Sequence, residues 1–268
     1  MKKRIQNNLK MNKNKFRNQL LIFVITLLTI LTVREYFSHQ LIVKGIDSYQ
    51  THTFLSTGAN LILIFLSYFL IKKNGLIKIA GLKGIKLEKV HLLIFPLVFL
   101  VLINILLMDD INNDILISNI LVHLIYTISI GFAEELSIRG FLQSHLIHHF
   151  GKTKKNIIIS VFTSALFFGI IHLINFDKGI YRELSQVCFA TFIGVMFGFL
   201  LVITKKIYPL IIIHVVIDFV AKLDSTGIPI KGKISQSMSI ENSVFIVLLA
   251  LPCLIYGIFL MKKYKLTE

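Results

Sequence analysis

Eight stretches of mostly apolar residues, each close to bilayer-crossing length, recur along this chain: about 19–36, 54–71, 91–108, 115–136, 156–174, 184–204, 207–223 and 243–261. Crossing about 30 Å of hydrocarbon takes a helix of about 20 such residues. Lipid offers the backbone no hydrogen-bond partners, so only helices and closed barrels can span it. The runs lack the period-2 alternation of barrel strands. The expected fold is therefore all-α, a polytopic transmembrane bundle of about eight helices. Composition agrees: 55% of the 268 residues are hydrophobic and only 16% charged, which excludes an ordinary soluble domain.

The formal charge of +15 raises nucleic acid as a partner, but the basic residues are not gathered on one amphipathic or aromatic-laced stretch. They alternate by loop. Of the 29 Lys and Arg, 22 fall on one side of the eight-helix plan, seven of them in residues 1–18 and six in 72–90, and 7 fall on the other. By the positive-inside rule both termini are expected in the cytoplasm. The expected surroundings are the lipid bilayer, in the plasma membrane of a bacterium, with no nucleic acid. The domain plan is a basic cytoplasmic tail (1–18), a single membrane domain (19–261) and a short cytoplasmic tail (262–268). No small-residue cleavage site follows the first apolar run, where the sequence reads LTVREYFSHQ, so 19–36 is read as a retained helix. Cys188 and Cys253 both lie inside expected spans and read as packing residues.

Two connectors carry their own pattern. Residues 72–90 mix lysines with Leu and Ile at near-helical spacing, which suits either a segment lying on an anionic leaflet or a solvated basic loop. Residues 140–152, GFLQSHLIHHFGK, set Phe141, Leu142, Leu146 and Ile147 against Gln143, His145, His148 and His149, an interfacial polar face.

Ionisable groups inside spans are expensive and mark a functional interior by default. The fourth span carries His123, Glu134, Glu135 and Arg139, the fifth His172, and the seventh His214 and Asp218. On a helix, Glu135 and Arg139 are i and i+4 and can form an ion pair. Glu134 is rotated about 100° away, leaving one carboxylate structural and one free to act as a base. Phe168 and His172 share the i, i+4 spacing, so the ring can fix the imidazole rotamer. His214 and Asp218 share it too, so the acid can orient the imidazole. Two histidines and a carboxylate from three helices suffice to hold a water. They can do so by hydrogen bonds alone, or as a two-His, one-Glu site for a divalent metal such as zinc, with Glu134, His172 and His214 as ligands. The cofactor requirement is thus either none or one such metal.

Read together, EELSIR at 134–139, FGIIH at 168–172 and HVVID at 214–218 resemble the CPBP intramembrane proteases, the family of CaaX prenyl endopeptidases and of bacteriocin-processing or immunity proteins. The resemblance covers about 134–218 and implies hydrolysis of a peptide bond in a membrane-associated protein or peptide. It assigns water activation to Glu134 assisted by His172, oxyanion stabilisation to His214 and Asp218, and support to Glu135, Arg139 and Phe168. The third motif ends in Asp218 where many members have Asn. An ionised Asp cannot donate to an oxyanion, so Asp218 is expected mainly to orient His214.

One geometric problem accompanies this reading. Glu134 falls near the inner end of its span, whereas His172 lies deep in the next, roughly 24 Å from its start. Tilt, local bilayer thinning, or a 140–155 connector that dips into the membrane would each close the gap. His123 either lines the same cavity or makes an interhelical hydrogen bond. The alternative to a protease is a non-catalytic bacteriocin-immunity or membrane binding protein; a secondary transporter ranks third, because no repeat halves or paired broken helices are visible.

Overall fold

The computed structural model describes residues 2–84, 86–109, 111, 117–151, 153–174, 179–230 and 238–266, with backbone alone for 2–13. Among these residues the chain is all helical, without strands. The helices are α1 (Lys2–Val43), α2 (Tyr49–Lys73), α3 (Ile94–Leu107), α4 (Ile117–Glu134), α5 (Ser144–Phe150), α6 (Lys154–Ile171), α7 (Ile180–Thr204), α8 (Tyr208–Ala221) and α9 (Ile240–Lys263). A π-helical segment, Glu135–Gln143, joins α4 to α5, and 3-10 turns precede α3 (Val90–Leu93) and follow α6 (His172–Ile174). Most of residues 108–115, between the third and fourth expected spans, and the last two residues of the C-terminal tail lie outside the described residues.

Among the described residues seven segments are long and apolar enough to cross a membrane; α8, also apolar, is shorter at 14 residues, about 21 Å of helix. Its start is set by Lys205, which ends α7 at φ 63°, and by Pro209 in its first turn, a position where the missing N–H costs nothing. Each of the eight expected runs thus forms a helix, the seventh as a short one held inside the bundle by α3 and α4. Large apolar side chains such as Phe65, Leu106 and Ile117 face outward, as suits a hydrocarbon surround. Among the spans α7 is the most buried, packed between α6 and α9. α2 lies on α4, and α1 lies on α2.

The fourth span does not end near residue 136. Helix continues without a break from Ile117 to Phe150, through the π segment and α5. Glu135, Arg139, Gln143 and His145 interrupt the apolar run in sequence, but all four are buried inside the bundle. Gln143 and His145 are therefore not part of a polar surface. Gln143 Nε2 donates to the Gly198 carbonyl on α7 (3.0 Å), and the His145 ring stacks between Phe16 of α1 and Phe141. Only His148 and Phe150 of α5 are exposed.

This extension answers the depth problem. From Glu134 to Phe150 is about 24 Å of helix and from Lys154 back to His172 about 27 Å. The two antiparallel arms therefore bring Glu134 and His172 to the same cavity, because residues 140–147 lie within the bundle.

The 72–90 segment also differs from its near-helical pattern. Residues 74–84 form successive turns, and Leu76 and Ala80 are fully buried in the core. Gly81 (φ 68°) accepts from the Ile207 amide and Glu88 donates to Thr204, tying the segment to the α7–α8 turn. Two apolar anchors here outweigh the helical spacing of the lysines.

Candidate active site

The π segment lies at the centre, in contact with α2, α4, α6 and α7. A π-turn carries i→i+5 bonding and is frequent at functional sites. Nothing in the residue pattern announced it. Arg139 lies within it, its Nη1 donating to Glu135 Oε1 at 2.9 Å, with both side chains essentially inaccessible. This is the expected pair, and it separates the two adjacent glutamates. Glu135 is sealed in the core, whereas the Glu134 side chain is 32% exposed and lines a cavity of about 80 Å³, enough for several waters.

Glu135 makes a second bond that the sequence did not suggest. His214 Nδ1 lies 2.8 Å from Glu135 Oε1, so the imidazole is oriented by a carboxylate on a different helix. Its Nε2 lies 3.5 Å from Glu134 Oε2 and 3.9 Å from Asp218 Oδ1. Asp218, expected to orient the ring, is instead held by the Lys222 ammonium one turn on. The i, i+4 spacing permits a His214–Asp218 contact, but the closer Lys222 takes the carboxylate.

Close approach of α4 and α8 makes the Glu135–His214 bond possible. A Cβ on Gly131 would stand 2.6 Å from Val215 Cγ2 and 3.1 Å from the Ile211 carbonyl. Only a residue without a side chain lets the backbones meet there. On the same two helices His123 hydrogen-bonds to Tyr49 Oη of α2 (3.2 Å) and to the Phe219 carbonyl of α8 (3.0 Å). It is an interhelical tie, and it is not among the residues that line the cavity.

His172 closes the cavity opposite α4. Its Nδ1 lies 2.7 Å from the Phe168 carbonyl. A carbonyl only accepts, so Nδ1 carries the proton and Nε2 is left with its lone pair in the neutral ring. The Phe168 ring stands edge-on to the imidazole, 4.9 Å between centroids at 84°. Glu134 and His172 line the same cavity; the rest of its wall includes Arg34 and Leu31 of α1, Asn60 of α2 and Ser137 of the π segment. The contribution of α1 and α2 was hidden in the sequence, because Arg34 and Asn60 stand in no recurrent spacing. Asn60 is fixed by donating to Ser129 of α4 (2.9 Å).

The fit of a divalent metal to Glu134, His172 and His214 can be judged from the donor set. His214 turns Nδ1 to Glu135 and His172 turns Nδ1 to a carbonyl, which leaves Nε2 of each as the atom able to ligate, as in metal-bound histidines generally. Among the described residues no group of three or more His, Cys, Asp or Glu side chains is arranged to hold a metal ion. Glu134, His172 and His214 are therefore not gathered as a preformed three-ligand set among the described residues.

No curated protein and no solved structure matches the chain. A family model does match: residues 116–220 fit the description "Type II CAAX prenyl endopeptidase Rce1-like". That stretch contains α4, the π segment, α5 to α8 and all three motifs. The match supports an integral membrane protein with endopeptidase activity of the CAAX type, acting on a peptide within a lipid environment. Residues 116–220 of this chain are thus similar to the Rce1-like type II CAAX prenyl endopeptidases.

Proposed function

We propose that this protein hydrolyses a peptide bond of a membrane-associated protein or peptide precursor, with Glu134 as general base. The observation that carries the reading is the division of labour between adjacent carboxylates. Glu135 is engaged by Arg139 and His214, whereas Glu134 faces a cavity roomy enough for several waters, shared with His172, and lies 3.5 Å from His214 Nε2.

Glu134 takes a proton from a water held between it and His172, whose Nε2 lone pair accepts the water's other hydrogen. The resulting hydroxide attacks the scissile carbonyl. His214, donating through Nδ1 to Glu135, presents Nε2 between the Glu134 and Asp218 carboxylates. A ring proton on Nε2 matches that surrounding and is the donor to the oxyanion. Collapse of the tetrahedral intermediate breaks the C–N bond as Glu134 returns its proton to the leaving amine.

Leu27, Leu31, Leu63, Ile138, Ile171 and Ile174 line the same cavity, a wall suited to an apolar or lipid-modified segment. A prenylated CaaX terminus fits it, as does a bacteriocin leader or signalling-peptide precursor. The split of basic residues supports a cytoplasmic position for both termini, with 1–18 and 262–268 as cytoplasmic tails and 19–261 as one membrane domain, and the membrane is read as a bacterial plasma membrane. Comparative peptidomics of cells carrying the wild type or Glu134→Gln tests the activity. A precursor processed only with the wild type is expected; identical peptide profiles at equal protein abundance favour a non-catalytic immunity or binding role.

A further inference from the structure

Arg139 holds more than Glu135. Its guanidinium carbon lies 4.6 Å from the centroid of Phe168 and 5.5 Å from that of Phe197, while its Nη2 has no hydrogen-bond partner among the described residues. Each of those rings meets one site histidine. Phe168 stands edge-on to His172 and Phe197 stands edge-on to His214, 6.0 Å between centroids at 82°.

We propose that Phe197, which belongs to none of the three motifs, is a positioning residue: with Phe168 and Arg139 it forms an aromatic clamp that fixes the two site imidazoles relative to each other. The inference rests on the proteolytic reading of the site for its consequence in catalysis, and on the geometry alone for its existence.

Three observations support it. All three clamp side chains are buried, at 1% exposure for Arg139 and Phe197 and 3% for Phe168, so the cation faces the rings without competing water, where such contacts are strongest. Edge-on aromatic geometry is directional, so each ring restrains the tilt of its imidazole as well as its place. The register of α7 against the π segment is also fixed beside the clamp. Gln143, one turn beyond Arg139, donates to the carbonyl of Gly198, the neighbour of Phe197. A Cβ on Gly198 would meet Gln143 Oε1 and Val161 Cγ1, both at 2.7 Å, so α7 sits as close as its backbone allows and the Phe197 ring has little freedom to leave.

Neither ring lines the cavity. Loss of the clamp therefore acts on turnover more than on substrate affinity. The test uses full-length protein in nanodiscs with ¹⁵N-labelled histidine, together with cleavage of a farnesylated CaaX peptide as probe. Two variants are compared with wild type: Phe197→Leu, and 3,4,5-trifluorophenylalanine at position 197, which keeps the ring but withdraws its face charge. Both are expected to change the His214 ring-nitrogen signals while leaving His123 and His145, whose ring partners are other residues, as they are. The value of kcat should fall about tenfold with Leu and about threefold with the fluorinated ring, with KM within about twofold.

Unchanged His214 signals or unchanged kcat in either folded variant overturn the clamp. So do changes of equal size at His123 and His145, which signify general loosening. If Phe197→Leu does not fold, the fluorinated protein decides. A wild type that leaves the probe uncut counts against a prenylated CaaX substrate, and the histidine signals still decide the clamp.

Discussion

The guanidinium of Arg139 lies 4.6 Å over the ring of Phe168, and that ring stands edge-on to His172. Two motifs, whose joined residues Arg139 and Phe168 stand 29 apart in the chain, are thus linked by a cation and an aromatic face. With the bonds from Arg139 to Glu135 and from Glu135 to His214, all three motifs converge on one buried charge.

Arg139→Ala should therefore be among the most damaging substitutions. It leaves Glu135 ionised in the core with His214 alone as partner, and breaking a buried pair in this way costs about 3–5 kcal/mol. Arg139→Lys keeps the charge but not the flat surface over the two rings, and is expected to yield folded protein of reduced activity. Thermal unfolding in detergent, measured with activity, checks both. Wild-type stability in Arg139→Ala would show that the pair is not a structural element.

Gly131→Val should loosen the same assembly from a distance. The added Cβ meets Val215 Cγ2 at 2.6 Å and the Ile211 carbonyl at 3.1 Å, and a β-branched partner on a helix has little rotamer freedom with which to yield. Overpacking of this kind costs about 1–3 kcal/mol, and it separates α4 from α8 where Glu135 meets His214. The expected result is a lowered melting temperature with a disproportionate loss of activity. Gly58 in α2, whose Cβ would meet nothing within 4 Å, is the control, and Gly58→Ala should leave activity unchanged without lowering the melting temperature, since Ala favours a helix over Gly.

Topology is the third test. With 22 basic residues on one side of the plan and 7 on the other, a reporter fused after Lys155 should be cytoplasmic and one after Asp109 external. Because α8 has only 14 residues, fusions at Lys206 and at Lys222 decide whether it crosses. Opposite sides are expected, and the same side would reduce the crossings to seven and separate the termini.

The sequence disclosed the helices and the three motifs, because apolar run length and rare intramembrane charges are strong signals. It also disclosed the Glu135–Arg139 pair, which is local. It did not disclose where the fourth span ends, since buried Gln143 and His145 look like surface residues until Gly198 of α7 and Phe16 of α1 are placed against them. Nor did it give the orienting partner of His214. The i, i+4 pattern pointed to Asp218, whereas the bond comes from Glu135, 79 residues earlier. Phe197 stands among other apolar residues of α7, and nothing in its spacing distinguishes it from them.

The central claim is that two adjacent carboxylates have different tasks, and it is tested most directly by comparing Glu134→Gln with Glu135→Gln. Each is purified in detergent and assayed for cleavage of the precursor found by peptidomics, or of a prenylated CaaX peptide, and for thermal unfolding. The account predicts that Glu134→Gln abolishes cleavage and leaves the melting temperature within about a degree of wild type, whereas Glu135→Gln lowers it by several degrees. Glu134→Gln protein that cleaves at the wild-type rate would contradict it.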